Sequence, residues 1–67
     1  MIRYKTDILA ALAAAGYSSY RLRQEKILAE STIAKLRHGE LITLATLGDI
    51  CRLTGLQPAD LIEYVEE

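Results

Sequence analysis

Between Ser18 and Gly39 the chain reads SSYRLRQEKILAESTIAKLRHG, and most of its cations fall there. Arg21, Arg23, Lys26, Lys35 and Arg37 stand against Glu25 and Glu30, so residues 17–39 carry +3. Residues 40–67 carry −5, with Arg52 alone against Glu40, Asp49, Asp60, Glu63, Glu66 and Glu67, and residues 1–16 carry +1. The formal net charge of −1 therefore hides a basic middle and an acidic end. Salt screens charges beyond about 10 Å, so an anion responds to the local cluster and not to the sum. Ser19, Tyr20, Ser31, Thr32 and His38 lie among the cations and add hydrogen-bonding side chains. The chemistry on offer is anion binding. Bond-breaking is poorly served: one cysteine and one histidine make no nucleophile–base set and no metal site. No paired carboxylates in a pocket or phosphate loop can be assembled either, so neither an enzyme nor a cofactor is expected.

The totals set the scale. Sixty-seven residues suit a single domain over 1–67, and 51% apolar content is enough for a core. Chains of this size are stable by a few kcal/mol. No run of about 18 apolar residues is present, so no membrane span is expected. The apolar, alanine-rich stretch from Ile8 to Ala15 has the look of a signal-peptide core. A periodic charged domain follows it too closely to leave a mature protein. One cysteine excludes an internal disulfide framework, and a reducing cytoplasm is the expected compartment.

Five short helices are expected to position the cluster. Thr6 caps the first, through Ala15, with Ile8, Leu12 and Ala15 in an apolar stripe and Gly16 as a left-handed stop. Ser18 caps a second helix, Ser19 to about Lys26, with Leu22 facing inward and Tyr17 positioned to staple against it. Ile27 and Leu28 make sense only as a plug in the angle between two helices. A third helix, about 30–38, turns Ile33 and Leu36 inward and ends at Gly39. Thr43 caps a fourth over 44–54, with Leu44, Leu47, Ile50 and Cys51 on or near its apolar face. Gly48 there permits a close helix contact, and Leu56 folds back after Gly55 as a Schellman cap. Pro58 opens a fifth helix to about Tyr64. Ile2 and Tyr4 cover the core edge while Arg3 and Lys5 face out.

Two short helices joined by a tight turn, the second presenting small and basic residues, form the pattern of a helix-turn-helix. The segments GYSSYRLRQ, ESTIAKLRHG and ITLATLGDICRLTGLQPADL resemble the phage-repressor/Cro-like (XRE-type) regulators. Ser31, Thr32, Ile33, Leu36 and Gly39 match the third-helix pattern. Thr43, Leu44, Thr46, Leu47, Gly55 and Leu56 match the fourth. The resemblance covers about Ile8 to Ile62 and implies an all-α, compact five-helix bundle, the lambda-repressor-like DNA-binding domain. Three positions depart from it: Arg23 replaces the usual alanine, Ile27 the turn glycine, and Ala29 the Ser/Thr cap of the third helix.

The resemblance implies a sequence-specific DNA-binding transcriptional regulator with its third helix in the major groove. It assigns base contact to Glu30, Ser31 and Lys35: lysine donates to guanine, glutamate accepts from cytosine and serine suits several bases. Phosphate contact falls to Ser19, Tyr20, Arg21, Thr32, Arg37 and His38, with Lys26 adding sequence-independent attraction. Plainer assignments stand beside these. The cations equally suit a solvated helix face, Glu30 suits the positive dipole end of its helix, and His38 the negative end. Cys51 reads as a small core residue. Because one helix reads about half a site, a homodimer on a pseudo-palindrome is expected, through Leu61, Ile62, Tyr64 and Val65 of the last helix. The rival is a helix-turn-helix fold kept for binding protein, as an antitoxin or phage-type inhibitor, which the net charge and the three departures favour.

Overall fold

A computed structural model describes residues 1–66. Helices α1 (Ile8–Ala14), α2 (Ser19–Gln24), α3 (Glu30–Arg37), α4 (Leu44–Thr54) and α5 (Pro58–Leu61) follow one another, flanked by strands β1 (Ile2–Tyr4) and β2 (Ile62–Tyr64). The fold is mostly helical, and the strands correct the all-α expectation. They pair antiparallel in the register Ile2↔Tyr64, Arg3↔Glu63 and Tyr4↔Ile62. The fifth helix accordingly stops at Leu61, where Ile62 turns extended, instead of running to Tyr64. Cross-strand neighbours fix the pairing: Arg3 Nε donates to Glu63 Oε2 at 2.8 Å, and Lys5 N–H to Leu61 O at 2.8 Å.

The core is one apolar cluster to which every helix contributes: Ile8, Leu12, Leu22, Leu28, Ile33, Leu36, Leu47, Ile50 and Leu61. Leu28 is buried and Ile27 packs beside it, so the pair fills the angle between α2 and α3 as their apolar character requires. Leu61 is fully buried, which removes it from any dimer surface. Leu44 is 83% exposed and also leaves the place assigned to it on the apolar face. It sits about one residue step too far round α4 from Leu47 and Ile50, which carry the burial.

Local chemistry fixes the helix ends. Ser18 Oγ accepts from Arg21 N–H at 3.2 Å, and Thr43 Oγ1 from Thr46 N–H at 3.2 Å. At α1 the cap is Asp7, whose Oδ1 accepts from Ala10 N–H at 3.1 Å, in place of Thr6 one residue earlier. A carboxylate is both the better acceptor and the better partner for the helix dipole. After α4, Thr54 Oγ1 accepts from Leu56 N–H at 3.2 Å, so a hydroxyl replaces the expected Leu56 fold-back, and Leu56 stays exposed. Gln57 N–H donates to Asp60 Oδ2 at 2.9 Å behind Pro58.

The turn between α2 and α3 closes as a Schellman motif. Ile27 N–H donates to Leu22 O at 3.0 Å and Lys26 N–H to Arg23 O at 3.2 Å. The left-handed residue this requires is Lys26, at φ +53°, and it is the one non-glycine residue with positive φ among those described. A side chain there costs roughly 1–2 kcal/mol, part of which glycine's greater unfolded-state freedom returns. Lys26→Gly should therefore stabilise the domain by about 1 kcal/mol, raising Tm by about 4–8 °C in thermal circular dichroism. An unchanged or lowered Tm would mean that the lysine side chain offsets its own strain.

Candidate nucleic-acid interface

Helix α3 buries Ile33 and Leu36, half-buries Thr32 and Ala34, and leaves Glu30, Ser31, Lys35 and Arg37 exposed. Ser31, Lys35 and His38 recur at i, i+4 and i+7, so they form one row, and all three are exposed. The Lys35 ammonium makes no ion pair or hydrogen bond among the described residues. Thr32 is half-buried beside the row. Arg37 lies on another flank of α3, lining a shallow depression with Thr6, Asp7, Ile8 and Leu9 at the start of α1. The residues assigned to bases and phosphates thus separate into an outward row and two flanks.

Glu30 is committed elsewhere. Its Oε1 lies 3.3 Å from Arg23 Nε, bridging the turn from α2 to the first residue of α3. This pair accounts for the arginine where a small residue was expected: its stem leaves the helix crossing and its head, partly exposed, meets the glutamate. The sequence carried a signal for it, an Arg and a Glu seven residues apart across a tight turn, but spacing alone does not close such a pair. Ala29 occupies the N-cap position with extended φ/ψ and no side-chain acceptor, and Ser31 does not substitute for one. Glu30 in the first turn supplies the negative charge that the helix start favours.

Arg21 is also held. Its Nε donates to Glu25 Oε2 at 2.7 Å, its Nη1 to Gly16 O at 2.9 Å, and its guanidinium stacks 4.7 Å from the Tyr17 ring centre. The hydrogen bond to Glu25, and then the attraction of the same carboxylate, pushes its pKa upward, so it stays charged. Tyr20, next to it on α2, is 70% exposed, and Ser19 is half-buried. On the far side of α3, Tyr4 Oη donates to Glu40 O at 2.6 Å, tying β1 to the loop after the helix. Partial burial raises the pKa of that phenol. Residues 36 apart in sequence carry no mutual signal for such a tie.

The charge picture becomes simpler in three dimensions. Of the cations between residues 17 and 39, Arg21 and Arg23 are paired with Glu25 and Glu30. Lys26, Lys35 and Arg37 have no ionic partner among the described residues, and they lie on α3 or in the turn that leads into it. The sequence model of one protein family, the Cro/C1-type HTH DNA-binding domain, matches residues 7–67. The chain belongs to this family. No curated protein and no solved structure gives a match. In a Cro/C1-type domain the match runs through α1 to α5, so the turn departures at Arg23, Ile27 and Ala29 are variations inside the family. No helix among the described residues is long and apolar enough to cross a membrane, and no cluster there would hold a metal ion.

Proposed function

We propose that the chain is a sequence-specific DNA-binding transcriptional regulator that lays α3 in the major groove. The observation that carries this is that three of the four cations without an ionic partner among the described residues, Lys26, Lys35 and Arg37, lie on and beside the exposed helix of a Cro/C1-type domain, while the fourth, Lys5, donates to Ala59 O at 3.1 Å. Lys35 and Ser31, one turn apart on the outward row, face base edges. Glu30 is a weaker reader than Ser31, because Arg23 holds its carboxylate and a free carboxylate near phosphates is repelled. Tyr20, Ser19, Thr32, His38 and Arg37 hold the phosphate strands on either side, and Arg21 adds charge from a fixed position. A second subunit supplies the second half-site, about 34 Å away along a pseudo-palindrome.

A salt titration on mixed-sequence duplex tests the electrostatic half of the proposal. With Arg21, Lys26 and Arg37 at phosphates, log K should fall against log salt with a slope of about −3 per chain, and about twice that where a dimer binds, each neutralised phosphate adding about −0.9. Selection from random duplexes then returns the preferred site and its half-site spacing. Absence of binding at low salt sinks the proposal and leaves the protein-interaction module as the reading to pursue.

A further inference from the structure

We infer that the surface through which two copies pair is the apolar groove between the β1–β2 ribbon and the start of α4. The inference rests on the regulator reading above for its reason to pair, and on separate observations for its location. Ile2 and Tyr64 stand directly opposite in the strand register, so they share one face of the ribbon, and they are 42% and 66% exposed. Leu41, in the loop after α3, and Leu44, at the first position of α4, are 56% and 83% exposed. Ile2, Leu41 and Leu44 border one groove, floored by Leu47 and Ile62. Together with Tyr64 they present on the order of 500 Å² of largely apolar surface, near the upper limit for a monomer's patch. With a polar rim this approaches the roughly 800 Å² per partner of a standard interface.

Gly48 points the same way. It lies one turn beyond Leu44 on the same flank of α4, exposed, with ordinary helical φ and nothing within 4 Å of the place a Cβ would occupy. Neither its own chain's packing nor its backbone geometry requires glycine there, and glycine weakens a helix interior relative to alanine. A close approach by another molecule explains it.

A second copy is the occupant that fits. The groove carries no Lys, Arg, Asp or Glu, so nucleic acid finds no cation there. In a twofold interface the same patch faces itself, residue i meeting j and j meeting i, and an uncharged patch brings no like charges together near the axis. Of Leu61, Ile62, Tyr64 and Val65, expected to form the pairing surface, Leu61 is buried in the core and Val65 is half-buried, whereas Ile62 floors this groove and Tyr64 stands exposed on the same ribbon face.

Sedimentation of the full chain without DNA tests the surface. At about 100 µM, well above the micromolar Kd of a modest interface, the protein should run at twice the single-chain mass. Leu44→Glu should raise the dimer Kd at least about tenfold and give single-chain mass, with an unchanged circular dichroism spectrum. The new carboxylate sits at a helix start that favours it and replaces an exposed side chain. Gly48→Gln is the second variant: it should raise the helix's intrinsic stability and still weaken pairing, two effects that mere unfolding cannot produce together. A monomeric wild type, or dimers of both variants with unaltered Kd, overturns the proposal. Binding to a single half-site duplex, read on Leu44→Glu, separates the two claims. Retained half-site binding with lost pairing supports the surface, whereas pairing that responds as stated with no DNA binding by any form removes only the regulator reading.

Discussion

Leu22→Ala should leave the domain largely unfolded at 25 °C. Leu22 is the single buried residue of α2, at 0% exposure, and it touches the one cluster that all five helices share. Truncating a buried leucine costs about 2–5 kcal/mol, the lost transfer energy plus the cavity left behind. A core of this size supplies no more than about 3–5 kcal/mol of net stability, so the loss is comparable to the whole. The consequence reaches α3 through the backbone as well. The Leu22 carbonyl receives Ile27 N–H in the turn, so the helix that positions α3 and the turn that aims it are anchored at one residue. Urea titration followed by circular dichroism checks this, with Tyr20→Ala, 70% exposed, as the comparison expected to stay within about 0.5 kcal/mol of wild type. A Leu22→Ala variant that kept a cooperative transition within 1 kcal/mol of wild type would show that α2 is held by something other than that side chain.

What could be read in advance divides along the range of the interactions involved. Ser18, Thr43 and Pro58 act within three or four residues of themselves, and each marks the helix start expected of it. Helix α4 runs over 44–54 as its periodicity requires. Leucine periodicity, however, says which residues recur and not how wide the buried stripe is, and Leu44 falls outside it. Strands β1 and β2 escaped because each is three residues long and finds its partner about 60 positions away, where no local pattern reports it. Lys26 gives no sign of its left-handed backbone, since the residue type that marks such positions is glycine, and the resemblance puts the turn glycine's place at Ile27, one residue on. The candidate site was legible as a basic segment. Its division into held and free charges was not, because Arg21–Glu25 shows as an i, i+4 pair while Arg23–Glu30 depends on the angle of a turn.

That division sharpens what single substitutions should do to DNA binding. Lys35→Ala removes an exposed, unpaired ammonium from the outward row of α3, one turn from Ser31. A lysine donating to guanine is worth about 1–3 kcal/mol of discrimination, so affinity for the selected site should fall between about fivefold and 150-fold. Mismatched duplexes altered at the one base pair that Lys35 contacts should lose far less, because they never had the contact. Arg37→Ala removes the same charge from a flank that faces the start of α1. It should weaken every sequence alike and reduce the magnitude of the salt slope by about 0.9. Arg21→Ala should also act uniformly on DNA, but it breaks the hydrogen bonds to Glu25 and Gly16 and so should lower Tm as well. Fluorescence anisotropy on the selected duplex and its single-base variants, at three salt concentrations, distinguishes the three patterns. If Lys35→Ala behaves as Arg37→Ala does, uniform across sequences, then α3 touches the backbone alone and the base-reading element lies elsewhere in the chain. A position-specific loss identifies the base pair that stands against α3 and fixes the direction in which the helix lies in the groove.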